Sequence, residues 1–128
     1  MLPSLLLYPG RDPDYATHMC SAYFVLCPRG NVEDTWRLIE ALRCGAIPIV
    51  TDGGQYFHHY MPVALTSTFV TVDRGLSDAS VRSAVAKVAA ALGNRPLLSG
   101  WSHRVRERFR AWDAEWQRSV AVMLHRIP

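Results

Sequence analysis

The sequence predicts an α/β domain with three layers, a mostly parallel sheet and a long C-terminal helix. Two short apolar runs, Ala22–Cys27 and Ile47–Val50, flank a segment with helical periodicity, Thr35–Cys44. Two buried strands bridged by a helix form a βαβ unit, which is built on parallel strands with a right-handed crossover. The 128 residues, 49% of them hydrophobic and 20% charged, fit one packed globular domain.

Turn residues delimit each part of the βαβ unit. Pro28–Asn31 ends the first strand, because proline cannot donate to a ladder and glycine and asparagine tolerate turn conformations. Gly45 stands where a helix C-terminal glycine belongs. Asp52–Gly54 ends the second strand. Before the unit, Met1–Tyr8 is compatible with a strand, and Asp14 is a candidate cap for a short helix through Met19.

The Thr35–Cys44 helix has two contrasting faces. Its apolar side chains fall on one side of the helical wheel, the side that must cover the sheet. Arg37 and Glu40 are three residues apart and Trp36 and Glu40 four apart, so these side chains are neighbours on the other side. The predicted sheet-facing residues are Thr35, Leu38, Ile39 and Leu42.

Three further elements are predicted downstream. Phe69–Val72 is a short β-branched strand, and Asp78 is the predicted cap of an amphipathic helix that ends at Gly93. Pro96 prevents the continuation of that helix, and Trp101–Ile127 is predicted as the longest helix. The predicted buried stripes are Val81, Val85, Val88 and Leu92 on the first helix, and Val105, Phe109, Trp112, Trp116, Val120 and Met123 on the second.

Composition excludes several classes of protein. The net charge is +3, and no basic run with interleaved aromatics is present, which disfavours nucleic-acid binding. Cys20, Cys27 and Cys44 include no C-x-x-C pair, so neither a disulfide nor a zinc site is expected. No apolar stretch approaches the roughly 20 residues that span a bilayer, and Leu5–Leu7 is too short for a signal peptide. The compartment is not determined by these features.

The candidate site follows from topology. Ligands of open α/β sheets bind beyond the carboxyl ends of the strands, here the loops 28–34 and 51–56. A helix N-terminus behind a strand attracts anions, although Glu33 and Asp34 in the first turn would repel a phosphate. Arg29 is the counterweight, since a guanidinium can bind a diphosphate with two parallel hydrogen bonds.

The motif order of the βαβ unit resembles the C-terminal half of exostosin-like glycosyltransferases. The similar positions are Cys27-Pro28-Arg29-Gly30, then Thr35-x-Arg37, then Glu40-Ala41-Leu42-Arg43-x-Gly45-x-Ile47-Pro48. These are GT-B enzymes, in which two Rossmann-like domains face each other across a cleft and the second domain carries the nucleotide-sugar donor. The resemblance implies that residues 1–128 form a single Rossmann-like donor-binding domain, part of a longer two-domain enzyme.

Roles for individual residues come with the resemblance. Glu40 matches the acidic residue that accepts hydrogen bonds from the ribose hydroxyls, and Arg29 and Gly30 match the loop beside the diphosphate. Thr35 and Arg37 match positions that flank the pocket. The loop after the second strand, Asp52-Gly53-Gly54, matches a loop near the donor. The implied donor is a UDP-sugar, with no metal ion, and no catalytic residue is assigned.

The resemblance also has a departure and implies partners. Many retaining GT-B enzymes carry a second glutamate eight positions before the ribose-binding one, where this chain has Val32. Inverting transfer to a glycan or other hydroxyl acceptor is therefore expected. An N-terminal GT-B domain would supply the acceptor site. Members of this family are often anchored in Golgi membranes, although this chain shows no anchor.

Other interpretations of these residues and of the class of protein also fit the sequence. Arg37 and Glu40 could form an ordinary exposed ion pair, and Pro28–Gly30 could be a plain turn. The stripe with Trp112 and Trp116 is interpreted as core or interface packing. The chain could be a non-catalytic α/β binding or interaction module, such as a degenerate transferase domain. A receiver- or flavodoxin-like domain ranks last, because the acidic cluster or phosphate loop that such domains need is absent after the first strand.

Overall fold

The computed structural model describes residues 14–28, 36–51 and 60–127. It confirms the α/β class, the parallel sheet and the long C-terminal helix, whereas the full three-layer Rossmann-like arrangement stays a prediction. The expected strand at Met1–Tyr8 lies outside the described residues. In chain order the elements are α1 (Tyr15–Ser21), β1 (Phe24–Cys27), α2 (Trp36–Arg43), β2 (Ile47–Val50), α3 (Val63–Thr66), β3 (Val70–Thr71), α4 (Asp78–Leu92) and α5 (Arg95–His125).

The sheet has the strand order β1-β2-β3, and both pairs of neighbours are parallel. In this register Phe24 lies beside Ile47, and Ile49 lies beside Val70. The third strand is shorter than the predicted Phe69–Val72, although both end residues of that range are buried. All three strands therefore finish at one end of the sheet, which is called the carboxyl edge below.

Helix α2 covers the sheet with the face that the sequence predicts. Leu38 and Leu42 are each 1% exposed, whereas Arg37 and Arg43 are exposed. The helix ends in a Schellman motif, in which the Gly45 amide donates to the Leu42 carbonyl at 3.1 Å and the next amide donates to the Ala41 carbonyl at 3.0 Å. Gly45 has φ +76°, the left-handed conformation that this motif requires.

Helix α5 begins at Arg95, six residues before the predicted start, so the prediction was wrong at this end. The side chain of Asn94 caps the helix by accepting a hydrogen bond from the Leu97 amide at 3.2 Å. Pro96 fits in the first turn because the amides there have no partner within the helix, and a missing N–H costs nothing. The early start brings Leu98 into the core with Val105 and Phe109, whereas Trp116 and Met123 of the predicted stripe are exposed.

The inner part of α5 docks against the amino ends of the strands. The indole Nε1 of Trp101 donates to the Thr68 carbonyl at 2.6 Å, just before β3. The Trp101 ring meets Phe24, the first residue of β1, edge-on at 5.5 Å between centroids. Ser102 donates to the Gly45 carbonyl at 3.0 Å, just before β2. These contacts all lie at the end of the sheet opposite the carboxyl edge.

Helix α4 buries a different face from the predicted one. Val81 and Val85 are 38% and 62% exposed, whereas Ala84 and Ala91 are buried. The helix packs on both β3 and α5, and the small alanine side chains permit a close approach. The apolar periodicity correctly indicated a helix. The predicted face was wrong at Val81 and Val85, whereas Val88 and Leu92 are partly buried against the core.

Substitution Gly45→Ala should lower the free energy of unfolding by about 1–2 kcal/mol, the cost of a left-handed conformation for a residue with a Cβ. The added Cβ would also lie 2.6 Å from an amino nitrogen of the Arg106 guanidinium, which would have to move. Urea denaturation measures the change. Gly75→Ala is the control, because a Cβ there meets nothing within 4 Å. Equal losses of unfolding free energy in the two variants would contradict this role of the left-handed conformation at Gly45.

Candidate functional site

The carboxyl edge is the candidate site, and the structure describes part of it. Helix α2 starts at this edge, because it follows β1 and returns to the beginning of β2. Of the eight predicted site residues, Arg37 and Glu40 lie on the described part of α2. The other predicted residues, Arg29, Gly30, Thr35, Asp52, Gly53 and Gly54, lie outside the described residues.

Glu40 is engaged by a residue that the sequence did not single out. The phenol of Tyr15 donates a hydrogen bond to Oε2 of Glu40 at 2.8 Å, across 25 residues of sequence. Both side chains are half-buried. Burial, followed by this hydrogen bond, raises the pKa of Tyr15, and the neighbouring Arg37 partly offsets the rise. The phenol is therefore a persistent donor to the carboxylate at neutral pH.

Arg37 connects this cluster to the end of β1. Cys27, the last residue of β1, is a buried free thiol, and burial raises its pKa to about 12. The positive charge of Arg37, which lies in the first turn of α2, acts on the pKa of this thiol in the opposite direction. Arg37, Glu40 and Tyr15 thus form one cluster of a cation, a carboxylate and a phenol beside the end of β1.

A disulfide between Cys20 and Cys44 corrects the expectation that the cysteines stay unpaired. It joins the last turn of α1 to the residue that follows α2. Tyr15 meets Glu40 and Cys20 meets Cys44, so the two helices run side by side in the same direction. The pairing depends on α1 lying along α2, which no local pattern of cysteine spacing reveals.

The acidic residue beyond β3 is already used for structure. Asp73 accepts hydrogen bonds from the Ser77 amide, at 2.9 Å, and from the Ser77 hydroxyl. Ser77 in turn caps α4, so the predicted capping role of Asp78 was wrong by one residue. These hydrogen bonds lower the pKa of Asp73. Its stabilising effect is present above its unfolded pKa of about 3.9 and is lost as the pH falls through the lower folded value.

An open cleft of about 350 Å³ lies elsewhere, between α5 and the segment before α3. Trp112 is its central ring, with centroids 6.4 Å from both Tyr60 and Trp116. The two predicted site residues that the structure describes, Arg37 and Glu40, do not line it. The described lining residues are Tyr60, Met61, Pro62, Trp112, Glu115, Trp116 and Ser119.

Comparison of the chain with protein-family models, with curated proteins and with solved structures finds no match. The resemblance described above therefore rests on the residues of the βαβ unit alone. Across residues 14–28, 36–51 and 60–127, no group of three or more His, Cys, Asp or Glu side chains is arranged to hold a metal ion. In the same part of the chain, no helix is both long and apolar enough to cross a membrane.

Thiol titration should distinguish the three cysteines. We expect no reaction of the native protein with a thiol reagent at pH 8, because Cys27 is buried with a raised pKa and the other two are bonded. Denaturation without a reductant should expose one thiol, and added dithiothreitol should raise the count to three. Three thiols in denaturant alone would contradict the disulfide.

Proposed function

We propose that this chain is the nucleotide-sugar-binding domain of an exostosin-like GT-B glycosyltransferase. The observation that carries the proposal is the carboxylate of Glu40. It is half-buried on α2, at the helix position of the resembling motif, and a phenol holds one of its oxygens. Within the described part of the chain, Oε1 of Glu40 accepts no hydrogen bond. A carboxylate placed in this way suits a ribose diol, whose hydroxyls are donors.

The charges around Glu40 support an anionic sugar donor. Arg37 lies in the first turn of α2, the end of the helix at the carboxyl edge, and its side chain is exposed to solvent. A guanidinium at this position favours phosphate groups. Arg29 and Gly30, in the loop that follows β1, would contact the diphosphate. The proposed donor is a UDP-sugar, and the proposed reaction is inverting transfer to a glycan or other hydroxyl acceptor.

A complete active site would need a second domain. In the proposed reaction the acceptor, together with the base that removes its proton, would be held across a cleft from the donor. A second GT-B domain N-terminal to this one is the proposed partner. The position of α5 supports this arrangement, because its described contacts through Trp101 and Ser102 lie at the opposite end of the sheet.

The second candidate function is a non-catalytic interaction module, and the outer half of α5 (residues 113–125) favours it. Trp116 and Met123, on one side of this helix, are 56% and 66% exposed, and Val122 and Leu124 are 51% and 62% exposed. An exposed apolar surface of this kind is typical of contact with another protein. Under this alternative, Glu40 and Tyr15 would only hold α1 on α2.

Substitution Glu40→Ala should weaken the binding of UDP at least about tenfold, since hydrogen bonds to a charged group contribute about 1.5–3 kcal/mol each. Calorimetric titration with UDP, UMP and uridine measures the loss, with GDP as a test of base preference. The free energy of unfolding should fall by no more than about 3 kcal/mol, the upper value for the lost hydrogen bond from Tyr15 to the charged carboxylate.

Glu115→Ala is the matched control for this experiment, because Glu115 is an exposed carboxylate on α5. It should leave UDP binding unchanged. If the folded wild-type chain binds none of the nucleotides, the transferase proposal fails and the interaction module becomes the better account. A large loss of stability in Glu40→Ala, with unaltered nucleotide affinity, would assign Glu40 a structural role.

Substitution Arg29→Ala should weaken UDP binding more than uridine binding, because the proposed contact is with the diphosphate. We expect a loss of at least about tenfold for UDP, the lower end of the range for a charge-assisted hydrogen bond, and a loss within about twofold for uridine. Calorimetry on the two ligands provides the ratio. Arg43→Ala, an exposed arginine in the last turn of α2, is the control. Equal losses for the two ligands would show that Arg29 does not contact the diphosphate.

A further inference from the structure

The hydrogen bond from Tyr15 to Glu40 is held by restraints outside the pair itself. Helix α1 has only seven residues, and a helix of this length is marginal on its own. Two features fix it along α2: the buried side chain of Met19 and the disulfide from Cys20 to Cys44. The phenol is therefore delivered to one carboxylate oxygen by a restrained element.

The consequence for Glu40 is conformational. A glutamate side chain on a helix surface has several rotamers, and fixing it in one costs entropy when a ligand binds. The phenol occupies Oε2 at 2.8 Å, which selects one orientation of the carboxylate before a ligand arrives. Within residues 14–28, 36–51 and 60–127 no donor meets the second oxygen, Oε1, which can there accept hydrogen bonds from a ligand. The charge of Arg37 acts on the Tyr15 phenol of the same group of side chains.

We propose that Tyr15 is a positioning residue, which holds the Glu40 carboxylate so that its second oxygen can accept hydrogen bonds from a vicinal diol. The inference rests on the proposed function, because it assumes that Glu40 binds the ribose of the donor. It adds a residue from α1, which lies outside the motif that carries the resemblance. It also gives the Cys20–Cys44 disulfide a role, since this bond keeps α1 in place.

Substitution Tyr15→Phe tests the proposal, because it removes the hydroxyl and keeps the ring. The measured quantity is the ratio of the affinities for UDP and for 2′,3′-dideoxy-UDP, which lacks the diol. In the wild-type protein UDP should bind at least about ten times more tightly than the dideoxy analogue. In Tyr15→Phe this ratio should fall about fivefold, which corresponds to one hydrogen bond of about 1 kcal/mol. A merely structural loosening of the domain would weaken both ligands and leave the ratio unchanged.

Tyr23→Phe is the matched control, because Tyr23 is 43% exposed and should leave the ratio as in the wild type. In the Glu40→Ala background, Tyr15→Phe should cause no further change in the ratio, since the two residues act through one contact. A wild-type ratio that Glu40→Ala removes but Tyr15→Phe preserves would overturn the role of Tyr15 alone. If wild-type protein does not distinguish the two ligands, both the role of Tyr15 and the proposed function are wrong.

Discussion

The buried indole of Trp101 is the contact on which the packing of the long helix depends. Its N–H donates to the Thr68 carbonyl before β3, its ring packs edge-on against Phe24 at the start of β1, and Lys87 of α4 lies 5.2 Å from the ring centroid. One side chain thus ties α5 to two strands and to α4. Because a buried carbonyl without a donor is costly, this contact also fixes the position of α5 along its axis.

That docking divides the sheet into two ends with different tasks. Helix α5 and the turn at Gly45 pack at the amino ends of the strands. The hydrogen bonds of Trp101 and Ser102 lie at this end. The carboxyl edge carries the Arg37–Glu40–Tyr15 cluster, which is half-buried rather than sealed. Two described acids also differ: Asp73 is occupied by Ser77 in the cap of α4, whereas the described contact of Glu40 uses one of its two oxygens. Because of this difference, we propose that the ligand binds at Glu40.

The sequence predicted the elements better than their contacts. Ile47–Val50 was located correctly, because an uninterrupted apolar run lies between Gly45 and Asp52. The prediction that Val85 lies on the buried face of α4 was wrong, because hydrophobicity favours Val85 over Ala84 whereas close packing favours the smaller side chain. The disulfide and the contact from Tyr15 to Glu40 could not be predicted, because both depend on the position of α1 along α2, and α1 is too short to show a periodic pattern. Most of the predicted site residues lie outside the described part of the chain, so their roles stay predictions.

An NMR titration of the isotope-labelled chain with UDP tests most directly whether a nucleoside diol binds at the carboxyl edge. We expect saturable shifts of the backbone amides that precede Pro28 in β1 and of those of Arg37 and Glu40 in α2. The resonances of the Tyr15 ring should also shift. The indole resonances of Trp112 and Trp116, in the separate cleft on α5, should not move. Saturable shifts confined to those two indoles, or no shifts in a folded sample at millimolar UDP, would contradict diol binding at the carboxyl edge.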